Sequence, residues 1–317
     1  MRRSGTFVAC FLTLVTPVLW GYADPPNDDP LAEVVAALNQ ERHWYAARLL
    51  RSLEIESSNA LDASLLAARA DAGRNAWKAV ARRLYGTIWL DSVGGGEGRY
   101  LLARAQLETG EFEAAVANYR KFLDYSVERT PRALAEVGLA RAYAALGQAR
   151  EAAAAFVRAA ESLPEFEPWS SIRAAENLAT LGDTATVRQL LGRAGGISLY
   201  RRTLAEVTAL EAAGDSRRAI RALLDAANSP AASRLSADLR TRAAGIHLAN
   251  ADTAAARGTL RTAVRVQPRG ARQAAEILAQ LPDLSADDHK ALGLAFERSR
   301  AYVLAADHYR TYLDLKS

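Results

Sequence analysis

With 317 residues and a formal charge of +4, from 40 basic and 36 acidic side chains, the chain is too evenly charged to be built for a nucleic-acid backbone. Its single cysteine leaves no disulfide framework, so its stability has to come from packing. Alanine supplies 68 of the residues, a bias toward helix.

Met1 to Ala23 opens with basic MRRSGT, continues through the apolar run FVACFLTLVTPVLW and closes on GYA. This is the layout of a secretory signal peptide, and the apolar run falls short of the ~20 residues that span a bilayer. Cleavage after Ala23 removes Arg2, Arg3 and Cys10 and lowers the formal charge to +2. A periplasmic or secreted protein without an integral membrane segment is expected. Lipidation at Cys10 is disfavoured because Phe7 is a poor start for a lipoprotein box. Asp24 to Pro30 (DPPNDDP) can neither extend a helix nor bury a core, and reads as an exposed leader.

From Leu31 onward no Pro/Gly/Ser linker divides the chain. Leu31–Leu53 reads as a helical hairpin with Trp44 and Ala47 in its second helix, and Leu61–Leu84 as another with Trp77 and Val80. The cluster VGGGEG at 93–98 lacks the Gly-Lys-Ser/Thr of a phosphate loop and reads as a helix start. Leu102 and Leu107 then precede Gly110, with Ala115, Tyr119 and Phe122 after it. The offsets after the glycine recur 37 residues on, where Leu139 and Tyr143 precede Gly147 and Ala152, Phe156 and Ala159 lead to Pro164. Further copies follow Gly182 (Val187, Leu191, Ala194) and Gly214 (Ala219, Leu223, Ala226). A fifth is anchored by Ala256, Leu260, Ala263 and Pro268, and a sixth by Leu292, Gly293, Phe296, Tyr302, Ala305, Tyr309 and Tyr312. Each helix carries one apolar stripe too narrow to bury alone, so the hairpins have to stack on one another. The expectation for 31–317 is an all-α solenoid of about eight degenerate hairpins.

This pattern resembles the tetratricopeptide repeat, most closely at 133–164 and 287–313. Ala149 and Arg300 depart from it, the latter standing where the family has its turn glycine. The alanine-rich hairpins behind a signal peptide also resemble the superhelical region of soluble lytic transglycosylases, periplasmic cell-wall enzymes that carry a following lysozyme-like domain. That second resemblance implies a link to peptidoglycan and a catalytic domain beyond this chain. Glu161-Ser162 matches the first two letters of that family's catalytic motif, but Leu163-Pro164 follow where the family has a small residue and an aromatic. Glu161 therefore reads as a solvated helix-end residue. The first helix of each tetratricopeptide pair lines a concave face, which implies a groove bearing Tyr100, Arg104, Arg141, Trp169 and Arg201, suited to an anionic or carboxylate-bearing ligand.

No constellation for chemistry assembles from the remaining residues. His43, His247, His289 and His308 lack metalloprotease spacing, and Asp287-Asp288-His289 sits near a helix start, where carboxylates cap. Trp44, Trp77, Trp89 and Trp169 read as packing wedges. The expectation is a binding region with no catalytic residue, metal or cofactor of its own: the superhelical part of a lytic-transglycosylase-type protein or, alternatively, a stand-alone adaptor for a protein partner. At the other end, Tyr302, Tyr309 and Tyr312 continue the repeat stripe up to Ser317. They are expected to form an interface covered by a further domain, a partner or a second copy.

Overall fold

The computed structural model describes residues 31–53, 59–266 and 271–317. The segments expected from sequence to be a signal peptide and leader, Cys10 with them, and Pro268 lie outside the described residues. The chain divides into two compact units, 1–170 and 171–317. Among the described residues the architecture is all-α, with seventeen α-helices and no strand. None of these helices is long and apolar enough to cross a membrane.

The first unit contains α1 (Ala32–Asn39), α2 (His43–Ser52), α3 (Ala60–Gly73), α4 (Trp77–Leu84), α5 (Glu97–Thr109), α6 (Phe112–Tyr125), α7 (Arg129–Ala145) and α8 (Ala149–Ser162). Helix α9 (Glu167–Ala179) runs across the division. The second unit continues with α10 (Thr184–Arg193), α11 (Leu199–Ala212), α12 (Ser216–Asn228), α13 (Ser236–Ala249), α14 (Thr253–Val266), α15 (Arg272–Ala279), α16 (Ala286–Arg298) and α17 (Tyr302–Asp314). Within each unit, helices adjacent in sequence pack against each other, an arrangement compatible with a helical repeat.

The stripes anticipated from sequence are the buried faces. Ala115, Tyr119 and Phe122 of α6, Ala152, Phe156 and Ala159 of α8, Ala219 and Leu223 of α12, and Ala256, Leu260 and Ala263 of α14 are all buried. Helices α11 to α13 share a core built on Leu210, Leu223 and Leu239, and α13 to α17 share one built on Leu260, Leu278, Leu292 and Phe296. At the start of the first unit, Val34, Leu38, Ala46 and Leu66 close a core over α1 to α3.

One turn recurs between paired helices. After α5, the Gly110 N–H donates to Leu107 O at 3.4 Å and the Glu111 N–H to Gln106 O at 2.8 Å, the two bonds of a Schellman turn. The longer-range bond is repeated from Arg42 to Ala37, Ala76 to Asp71, Gln148 to Tyr143, Asp215 to Leu210, Asp252 to His247 and Ala301 to Phe296, all at 2.8–2.9 Å. The residue before each of these donors is left-handed: Glu41, Asn75, Gly110, Gly147, Gly214, Ala251 and Arg300 have φ between 58° and 87°. Glycine occupies three of these seven turns, and the other copies carry side chains in a backbone region that costs an L-residue roughly 1–2 kcal/mol. Ala251→Gly and Arg300→Gly are therefore expected to raise stability by about 1 kcal/mol each, and Gly147→Ala to lower it by a similar amount. Urea denaturation midpoints at unchanged slope measure this.

Two features depart from the sequence reading. Helix α15 adds an unpaired element between the fifth and sixth copies, because Ala274, Ala275 and Leu278 form a buried stripe of their own. Trp44 is no packing wedge: it is 73 % exposed, with the Arg74 guanidinium 4.5 Å above its ring. The glycine cluster does lead into a helix. Gly94, Gly95 and Gly96 are left-handed in succession and deliver the chain to Glu97, the first residue of α5.

Candidate functional site

The five residues placed on the concave face from sequence all lie on the first helix of a pair: Tyr100 and Arg104 on α5, Arg141 on α7, Trp169 on α9 and Arg201 on α11. Tyr100 and Arg104 stand one turn apart on one face, and both are buried. The Tyr100 ring meets Tyr119 edge-on at 6.0 Å and Phe122 at 5.7 Å. Burial raises the pKa of its hydroxyl, against the pull of Arg104 and Arg141. The Arg104 guanidinium lies 4.8 Å over the Trp77 ring of α4. Arg141 donates to Glu108 of α5 at 3.1 Å. Tyr100, Arg104 and Arg141 thus share one neighbourhood, together with a carboxylate that sequence reasoning did not assign. Any acidic ligand there competes with Glu108 for Arg141.

Trp169 is half-buried in an aromatic cluster, edge-on to Phe156 at 5.6 Å and to Phe166 at 6.3 Å. In the second unit, Arg201 grips Glu176 with two bonds at 2.5 and 2.9 Å, while Arg173 reaches the same carboxylate at 3.1 Å. Of the tyrosines assigned to the C-terminal interface, Tyr302 is 64 % exposed. Tyr309 is half-buried and donates to Glu297 at 2.8 Å. Desolvation and that carboxylate push its pKa up to about 12. Tyr312, also half-buried, has the Lys290 ammonium 5.8 Å from its ring. Around them Val303, Leu304, Leu313 and Leu315 are exposed.

Four arginines on first helices reach a neighbouring first helix. Ion pairs join one first helix to the next: Arg69 of α3 to Glu97 of α5, Arg141 of α7 to Glu108 of α5, Arg201 of α11 to Glu176 of α9 and Arg242 of α13 to Glu211 of α11. The partners are 25 to 33 residues apart, close to one repeat. The outer three are solvent-accessible pairs of a kind worth roughly 0.2–1 kcal/mol each. A recurring acid and arginine at repeat spacing was the available signal, but only the packing offset between hairpins decides which two meet.

Arg242 and Glu211 also border a groove of about 850 Å³ in the second unit, formed mainly by α11, α13 and α15. Its floor carries buried Thr241 and Ile246 with half-buried Ile277. Tyr200, Asp238, Gln273 and Asn250 stand around it. Gly245 opens onto it, where a Cβ would meet nothing within 4 Å. These lining residues were not singled out from sequence, because polar side chains on a helix face carry no periodic signature. At the start of α16, Asp288 is a cap: it accepts from the Ser285 N–H and hydroxyl at 2.8 Å and is gripped by Arg261. Glu161 is exposed in the last turn of α8. Among the described residues, no group of three or more His, Cys, Asp or Glu side chains converges on one point. The chain matches no protein-family model and no curated protein.

Proposed function

We propose that this chain is an exported, non-catalytic helical-repeat binding protein that receives an extended segment of a partner protein in the groove of 171–317. The observation that carries this reading is the groove's lining. Its charges nearly cancel, Arg242 being paired with Glu211 beside a single further acid, Asp238. That balance does not suit a polyanion. Asn250 and Gln273 offer both donors and acceptors to a peptide backbone, and Ile246 and Ile277 offer an apolar floor for side chains. On this reading the hairpins form a tetratricopeptide-like solenoid, with the first helices on the binding side.

The likeness to the superhelical region of lytic transglycosylases supports a second version, in which the same scaffold serves a cell-wall protein. One set of measurements separates the versions. Gly245→Phe fills the groove without meeting any atom at its Cβ, so it is expected to leave folding intact and to weaken binding of the partner recovered from periplasmic extract at least tenfold. Wild-type affinity in that variant would remove the groove from the reading. Purified protein is expected to release no muropeptides from peptidoglycan. Release that disappears in Glu161→Gln would make the chain an enzyme. Retention on purified sacculi by wild type and Gly245→Phe alike favours the cell-wall version over the adaptor.

A further inference from the structure

The C-terminal hairpin brings together two of the four histidines of the chain, His289 on α16 and His308 on α17. Their Nδ1 atoms face each other at 3.0 Å, with ring centroids 5.2 Å apart and planes inclined by 43°. His308 also lies flat on the buried Phe296 ring, at 5.4 Å and 8°, a stack that holds the imidazole in place. Both histidines are half-buried and keep a path to water.

Two imidazole lone pairs cannot point at each other without a positive centre between them. In the ion-free chain that centre is a proton, carried on one Nδ1 and accepted by the other. Burial and the neighbouring His289 lower the pKa of His308, with Asp307 pulling the other way. Neutral imidazole is the form that ligates metal. On a tetrahedral zinc ion, two imidazole nitrogens at about 2.0–2.1 Å from the metal stand roughly 3.3 Å apart. The observed separation is within a few tenths of an ångström of that value, so rotation of both rings by about 35°, bringing their lone pairs onto a common centre, replaces the shared proton by a cation. The nearby charges include Asp287 and Lys290 on α16, and Asp307 on α17, which is bonded to Arg310. Asp288 is committed to Ser285 and Arg261 and is not available as a ligand.

We propose that His289 and His308 form an open two-histidine site for a divalent transition-metal ion of the zinc or copper class, completed by water, which pins α17 to α16. Imidazole suits these ions and not magnesium or calcium. Because the two ligands come from different helices of one hairpin, the ion acts as a clasp on a helix whose other face carries exposed Tyr302, Val303 and Leu313.

The test is calorimetric titration of the chelator-treated full chain with Zn²⁺ and Cu²⁺, with Mg²⁺ as control. One equivalent of Zn²⁺ or Cu²⁺ is expected for wild type. His289→Gln and His308→Gln should each weaken it at least tenfold, whereas His247→Gln, which alters the separate His247–Asp252 pair, should leave it unchanged. Thermal unfolding with a chelator present checks that the variants are folded, and added Zn²⁺ should raise the melting temperature of wild type and of neither pair variant. Should His308→Gln loosen its Phe296 stack and unfold the hairpin, His289→Gln alone decides. Absence of saturable binding to wild type, or undiminished binding to His289→Gln, would identify the pair as a hydrogen bond only and overturn the proposal.

Discussion

Replacing Arg69 by leucine is expected to cost the fold about 3–5 kcal/mol, because it leaves Glu97 buried without its counter-charge. Arg69 and Glu97 meet at 3.0 Å with side chains only 7 % and 3 % exposed. Glu97 occupies the first residue of α5, delivered there by three left-handed glycines, and its second carboxylate oxygen has no hydrogen-bond partner. Burial raises its pKa to about 7, with Arg69 working in the opposite direction. A carboxyl group whose pKa is higher folded than unfolded binds more protons in the native state, so stability falls as pH rises from about 4.5 toward 7. Without Arg69 the folded-state pKa climbs further and the fall continues to higher pH. The cost of Arg69→Leu is therefore expected to be smaller at pH 5 than at pH 8, and Arg69→Leu/Glu97→Leu should recover most of it. Urea denaturation at the two pH values measures both effects. A loss independent of pH and undiminished in the double variant would show that Arg69 acts through its packing instead.

Gly138→Ala should destabilise the chain by about 1–3 kcal/mol through overpacking, although alanine favours a helix over glycine by roughly 0.5–1 kcal/mol. A Cβ at Gly138 of α7 would stand 2.2 Å from Cζ of Tyr119, a ring that is 1 % exposed. Gly293 is used in the same way on α16, where a Cβ would fall 2.5 Å from the Tyr309 ring. By contrast, Gly192 and Gly258 are helical glycines with nothing within 4 Å of the added carbon. Alanine there is expected to stabilise by about 0.5–1 kcal/mol. Thermal melting of the four variants thus separates two signs. If all four shift in one direction, close approach of an aromatic ring is not what holds glycine at 138 and 293.

These two predictions differ in how far sequence could have led to them. Gly293 stood beside Leu292 and ahead of Tyr309 in a repeat copy, so its small size at a helix contact was within reach. Glu97 was visible only as part of a glycine cluster, and Arg69 carried no signal at all. The same division runs through the turns. Gly110, Gly147 and Gly214 marked their copies, whereas Glu41, Asn75, Ala251 and Arg300 adopt the same left-handed turn without the residue that advertises it. Their turns are held by the hydrogen bond that closes each helix, which tolerates the strain of a side chain there.

What the sequence by itself determined is the local order: the all-α architecture of the described residues, the buried stripes of α6, α8, α12 and α14, and the left-handed glycines at 110, 147, 182 and 214, spaced 32 to 37 residues apart. Those follow from spacings of three and four residues within one helix, which any helix of that sequence must express. Tertiary structure alone decided that Arg141 meets Glu108, that Arg201 meets Glu176, that Trp44 stays in water under Arg74 and that His289 faces His308. Such meetings depend on the offset with which one helix packs on the next, and on how far each long side chain reaches. A shift of one residue along a helix turns a side chain through about 100°, enough to separate every one of these pairs while leaving the helical periodicity intact.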